Sequence, residues 1–169
     1  ELAHLNSKEF TYQNIFNKTR LNRRDSINEI IDSLINHGYL FKKKPILFLD
    51  NKTSYLSIYS FVDPGIVSYL TADLELNLKV GPKIESYVHA RLASFVANSV
   101  FKSSLSYYKP YILDTNDNVK YQPGEIDFIL TIGSKNIPME VKSSMEISNI
   151  DTTIMKNFMK GHRSSFGVI

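Results

Sequence analysis

The stretch from Glu125 to Ser143 constrains this chain more than any other. Ile126, Phe128, Ile129 and Leu130 precede a turn at Gly133-Ser134-Lys135-Asn136, and Ile137, Met139 and Val141 follow it, which reads as two largely apolar strands in a hairpin. Strands this apolar belong inside a sheet rather than on a washed surface. Side chains alternate along a strand, so Glu140 and Lys142 share one face while Met139 and Val141 take the other. With the turn centred on Gly133-Ser134, Asp127 stands opposite Glu140, and opposed residues share a face with Cβ atoms ~5 Å apart. A two-residue shift of the turn keeps Asp127, Glu140 and Lys142 together; a one-residue shift separates them.

Two carboxylates and one ammonium on one small patch need a reason. Adjacent carboxylates repel unless something positive lies between them. Mg²⁺ or Mn²⁺ meets that need, because each prefers oxygen ligands, retains waters and meets phosphate oxygens. The chain has no cysteine, so any metal is held by oxygen or imidazole. Asp127 and Glu140 are the candidate metal ligands. Lys142 is placed to lower the pKa of a metal-bound water and to stabilise charge on phosphoryl oxygens. The competing account is a solvated ion cluster, which the bare spacing favours. Hairpin parity, apolar flanks and element order favour the metal site. Glu85 is a third acidic candidate beside the apolar stripe of its helix, equally readable as a first-turn glutamate favoured by the helix dipole. His89, one turn on, reads as an interfacial or solvated histidine. Glu125 reads as the residue that starts its strand.

Around the hairpin the elements fall in the order α-β-β-β-α-β. Pro82 opens a helix running to about Asn98. Strands follow at Ser106–Leu113, Glu125–Ile132 and Ile137–Ser143, then a helix at Ile150–Met159 and the start of a strand at Phe166–Ile169. Upstream, a helix is expected over Lys8–Asn17, and a second begins at an Asn22 cap with Asp25 three residues on. Ile27, Ile30, Ile31, Leu34 and Ile35 form the second helix's stripe, and Gly38 stops it. Strands are expected at Tyr39–Phe41, Ile46–Leu49 and Tyr55–Tyr59, with a turn at Asp50–Thr53. This is the pattern of a winged helix. The fold class is therefore α/β (α+β), with a winged helix over 1–62, a connector over 63–81 containing a short helix at Ile66–Leu70, and an α-β-β-β-α-β domain over 82–169.

Charge is unevenly placed. The whole net charge of +3 lies in residues 1–62, with nine Lys/Arg against six Asp/Glu. Arg20, Arg23 and Arg24 at the start of the second helix, and Lys42, Lys43 and Lys44 in the wing, are the candidate nucleic-acid contacts. The alternative is a solvated turn and a basic edge strand guarded against aggregation. No apolar run reaches the ~18 residues needed to cross a bilayer, so no membrane partner is expected. The lack of cysteine is compatible with the cytoplasm. Glu1 opens the chain without methionine and Phe166–Ile169 enters a strand, as expected of a piece of a longer protein.

The runs Gly124-Glu125-Ile126-Asp127-Phe128-Ile129-Leu130 and Pro138-Met139-Glu140-Val141-Lys142-Ser143-Ser144 resemble the core of the PD-(D/E)xK phosphodiesterase superfamily, with Ile126 where that name has proline. The resemblance implies that Asp127 and Glu140 bind the metal, Lys142 is the catalytic lysine and Glu85 is the auxiliary acid. A longer likeness covers "GYLFKK", "SIYSFVDPGIVSYL", "GPKIESYVHARLASF" and "EIDFIL…MEVKSS". These look like the C-terminal region of archaeal and bacterial AAA-type ATPases, which implies an ATPase domain upstream in the same polypeptide. No phosphate-binding G-x-x-x-x-G-K-[ST] occurs, so no ATP site is expected in this chain. The leading expectation is Mg²⁺- or Mn²⁺-dependent hydrolysis of DNA phosphodiesters. The runner-up is a non-catalytic module of such an ATPase that binds DNA or protein. A third is a transcriptional regulator that dimerises through its nuclease-like half.

Overall fold

The computed structural model describes residues 2–10, 12–18, 24–46, 57–71, 80–115, 118–143, 149–162, 164 and 166–169. The chain is mixed α/β with antiparallel sheets, and its contacts divide it into two compact units. One comprises Glu1–Lys44 and Thr53–Ala93, the other Pro45–Lys52 and Ser94–Ile169. These boundaries differ from breaks at 62 and 82.

The first unit starts with a 3-10 turn at Leu2–Leu5, followed by β1 (Lys8–Phe10), α1 (Tyr12–Lys18), α2 (Arg24–Asn36), β2 (Leu40–Lys43), β3 (Ser57–Phe61) and α3 (Pro64–Leu70). The expected first helix thus begins later, and Lys8–Phe10 instead adds a strand to a sheet of order β1-β3-β2. Its partners are fifty residues away, a pairing no local propensity records. In α2, Ile27 and Ile31 are buried and pack with Ile15 and Tyr59, with Ile35 against them, while Leu34 packs against the cluster of Ala3, Leu40, Phe61 and Val67. Ile30 departs from the expected stripe and is 46% exposed. At ~100° per residue it lies near a right angle to the centre of the other four. Gly38, at φ 74, ends α2: Tyr39 N donates to Leu34 O at 2.8 Å and Gly38 N to Ile35 O at 3.0 Å. This is the paired bond of a Schellman cap. Asp63 caps α3, its Oδ1 accepting from Gly65 N at 2.7 Å, with Pro64 in the first helical position. Expected features at Asn22, Leu47–Leu49 and Asp50–Thr53 lie outside the described residues.

A helix, α4 (Val80–Asn98), contributes its larger part to the first unit. Polar contacts explain why. Asn6 Nδ2 donates to Ser86 Oγ at 2.7 Å, and Asn6 Oδ1 accepts from Phe61 N at 2.8 Å. Ser7, at φ 55, shares its hydroxyl between Ser60 and Ser86. Buried hydroxyls and amides are tolerated only when satisfied in this way.

In the second unit, β4 (Ser103–Tyr108), β7 (Ile126–Ile132) and β8 (Lys135–Met139) form an antiparallel sheet with β7 in the middle. A two-stranded hairpin, β5 (Tyr111–Leu113) and β6 (Val119–Tyr121), stands between β4 and β7 in sequence. The expected single strand over 106–113 is therefore two strands parted at Lys109-Pro110, since proline cannot donate to a ladder. α5 (Asn149–Gly161) supplies Met155 and Phe158 to a core with Ile126 and Ile129. Residues three apart on a strand ordinarily face opposite ways. They share a core here because the register with β4 slips: Ser106 opposes Ile129, yet Tyr108 opposes Ile126. The extra β7 residue falls at Asp127–Phe128, a β-bulge. Beside β8, Val168 forms a parallel bridge to Met139, in the position expected for the fourth strand.

Candidate functional site

The β7–β8 ladder pairs Ile132 with Lys135 and continues to Phe128 opposite Met139, turning through Gly133 at φ 60. This is the register that brings Asp127 level with Glu140. There the ladder stops, and the expected strand over 137–143 ends at Met139. On the side of β8 away from β7, Glu140 N donates to Val168 O at 2.8 Å. Carboxylates then replace the missing carbonyls. Asp127 N donates to Glu140 Oε2 at 3.2 Å, and Val141 N donates to Asp127 Oδ2 at 2.7 Å. Each acid thus holds a backbone amide of the opposite strand, which fixes both carboxylates where the strands part.

Lys142 Nζ donates to Glu140 Oε1 at 2.7 Å. Burial and then the neighbouring Asp127 charge push the Glu140 carboxyl above its ordinary pKa, against the lowering effects of Lys142 and the Asp127 amide. A buried acid whose ionisation a neighbouring carboxylate makes harder is a site short of positive charge. The donor set is hard carboxylate oxygen, which suits a small divalent cation. Among the described residues no group of three or more His, Asp or Glu side chains is placed to hold a metal ion. Mg²⁺ tolerates this, since it commonly keeps several waters and takes one or two carboxylates plus substrate phosphate. Asp127 and Glu140 fit that role.

Glu85 pairs with Lys43 at 3.5 Å inside the first unit. Lys43, expected on the wing surface between Lys42 and Lys44, is fully buried, whereas its two neighbours are exposed. His89 is buried as well, its ring 4.9 Å from that of Phe41. Burial, assisted by the Lys43 charge, lowers its pKa to about 3, so it is neutral rather than solvated. A sequence signal for this group existed. Phe41 and Lys43 are two apart on a strand and Glu85 and His89 four apart on a helix, so each pair presents a common face. Glu125 is exposed just ahead of β7. Arg20 and Arg23 lie outside the described residues, as does the side chain of Arg24, which opens α2.

A mixed α/β chain with an acid–lysine cluster at the parting of two sheet strands is the class these features define. Residues 80–168 match DUF4143, a domain of unknown function found in AAA-ATPase-associated proteins, and the chain belongs to that family. No curated protein and no solved structure matches the chain. No helix among the described residues is long and apolar enough to cross a membrane.

Proposed function

We propose that this chain is a DNA-processing module that hydrolyses phosphodiesters with Mg²⁺ or Mn²⁺ at Asp127, Glu140 and Lys142. The observation that carries the reading is the reciprocal bonding of Asp127 and Glu140, with the Lys142 ammonium on Glu140. The two acids would hold the cation, and each is anchored by a backbone amide rather than by a mobile side chain. When bound, the cation supplies Lewis acidity and a more acidic water. Lys142, 28% exposed, can turn toward a phosphate and offset the negative charge that develops on its oxygens. The resemblance to the PD-(D/E)xK core supports the same roles. Glu85, the auxiliary acid of that resemblance, pairs with Lys43.

The first unit, read as a winged helix, is the proposed DNA-binding partner of this centre. The succession of 3-10 turn, strand, two helices and two strands supports that reading. Lys42 and Lys44 are its proposed phosphate contacts, with Arg20, Arg23 and Arg24 at the second helix. Family membership supports an AAA-type ATPase domain as the functional partner in the same polypeptide.

The direct test is cleavage of linear, branched and single-stranded DNA with Mg²⁺ or Mn²⁺, comparing the parent with Asp127→Asn. Removing one charge-stabilising group from such a centre typically costs about 10²–10³ in rate. Cleavage that survives the substitution would sink the mechanism. A second reading, a non-catalytic DNA- or protein-binding module, is favoured by the lack of a third acid among the described residues. It wins if the parent binds DNA in the presence of metal and cleaves none of the three substrates.

A further inference from the structure

The β5–β6 hairpin is the one part of the second unit's described strands that joins no larger sheet. Its composition is unusual for a spare ribbon. Tyr111 opposes Tyr121, so the two rings lie on one face with Cβ atoms ~5 Å apart. Lys109 brings its ammonium over that face, 5.8 Å from the centroid of the Tyr121 ring. On the other face Ile112 opposes Lys120, and both are exposed. The only described carboxylate on the hairpin, Asp114, is turned into its own loop, accepting from Asn118 N at 2.9 Å and Asn118 Nδ2 at 3.3 Å. Negative charge thus sits at the tip, and positive charge sits nearer the base.

The base is fixed beside the acid cluster. Gln122 N donates to Pro110 O at 2.7 Å, closing the hairpin's foot. Tyr108, the residue before Lys109, opposes Ile126, the residue before Asp127. The hairpin therefore leaves the sheet at the end of β7 where Asp127 stands.

We propose that this hairpin is a docking platform for a single DNA strand, which it delivers to the Asp127 end of β7. An unpaired strand offers what the surface can use: open base faces to stack on tyrosine and a phosphate every nucleotide for the lysines. A duplex keeps its base faces inside and leaves only the charge term. The assignment rests on the phosphodiesterase reading for the destination of the strand, but binding is measurable apart from cleavage.

The test is fluorescence anisotropy of the whole chain in EDTA, with labelled oligo-dT and a duplex of equal length. The hairpin variants are expected to lose oligo-dT binding and to keep the duplex binding proposed for the first unit. Tyr121→Leu, which keeps apolar packing but removes the stacking ring, should weaken oligo-dT binding about tenfold, within the range of one lost base–aromatic stack. Lys109→Glu with Lys120→Glu should weaken it further and reduce the slope of log K against log salt by about 1.4, from ~0.7 per phosphate on a single strand. Circular dichroism melting identifies any variant that fails to fold, and Lys120→Glu alone, at an exposed site, keeps the test available. Hairpin variants that bind oligo-dT like the parent, or a Tyr121→Leu variant that loses duplex binding equally, would overturn the platform. A chain that never cleaves yet loses oligo-dT binding in these variants keeps the platform and removes hydrolysis. A chain that cleaves while the variants bind normally does the reverse.

Discussion

Among the described residues, two lysine–glutamate pairs, one in each unit, are built in opposite ways. Lys43 and Glu85 are 3.5 Å apart with side chains 0% and 17% exposed. Lys142 and Glu140 are 2.7 Å apart with 28% and 8% exposed. In the first pair the cation is sealed and the acid reaches the edge of the solvent. In the second the acid is the inner partner, and the cation retains access to water. In the second, the Asp127 amide donates to Glu140, and the Asp127 carboxylate accepts from Val141 N beside it. A sealed cation paired with an acid is a structural contact. A deep acid pair with a movable cation has charge left to offer a ligand. Chemical type alone does not separate them; the order of burial does.

The comparison breaks first on stability. Truncating one partner of a buried ion pair leaves an uncompensated charge and costs ~3–5 kcal/mol. Lys43→Ala is therefore expected to lower the urea midpoint severely, with loss of the packing between β2 and α4. Lys142→Ala should cost less, since Lys142 is 28% exposed and Glu140, left without its cation, can take up a proton, while abolishing any DNA cleavage. Equal losses of stability in the two variants would erase the distinction. Lys43→Met with Glu85→Gln sharpens it, because replacing both charges by groups of similar volume is often close to neutral.

How far the two pairs were legible in the sequence follows from the distances they span. The cluster at Asp127, Glu140 and Lys142 is carried by one hairpin, so strand parity and a Gly-Ser turn were enough to bring it together. The parting of the strands after Met139 was not legible. It depends on carboxylates taking amides that a ladder would otherwise use, and apolar periodicity is blind to that exchange. In the first unit the triple lysine at 42–44 reads as a solvated run because nothing local marks its middle member. The burial of Lys43 comes from a helix some forty residues away. The stripe of α2 and its stop at Gly38 are local, and both were readable save for Ile30. The β7 bulge, which sets Ile126 and Ile129 on one core, needs β4 as a ruler and leaves no trace in β7 alone.

A second contrast concerns pH. His89 stands near Lys43 and Glu85 and is held neutral, its pKa lowered from 6.5 to about 3 by burial and then by the Lys43 charge. The unfolded chain takes up that proton first as the pH falls below about 6.5, so the stabilisation is complete above that value. It is lost progressively toward pH 3, at a slope approaching 1.4 kcal/mol per pH unit. His89→Gln removes this dependence. The measurement is the difference between parent and variant in urea-derived stability from pH 7 to pH 4, which cancels the titration of other groups. Parallel curves would mean that His89 is not neutral in the folded protein.

The smallest expected effect tests the other pair from inside. Glu140 is raised by burial and by Asp127, and lowered by Lys142 and the Asp127 amide. The causes predict opposite responses to two substitutions. Asp127→Asn removes a like charge, so the Glu140 carboxyl should titrate at lower pH than in the parent. Lys142→Met removes the compensating cation, so it should titrate higher. Carboxyl carbon NMR on the metal-free chain reads both shifts directly. The contribution to folding has the opposite sign from that of His89, because a carboxyl raised in the folded state favours folding below its unfolded pKa. That contribution is lost as the pH climbs through the raised value. Two shifts of the same sign would mean that Asp127 and Lys142 do not act on Glu140 as separate charges, and the acid pair would no longer be a site that calls for a cation.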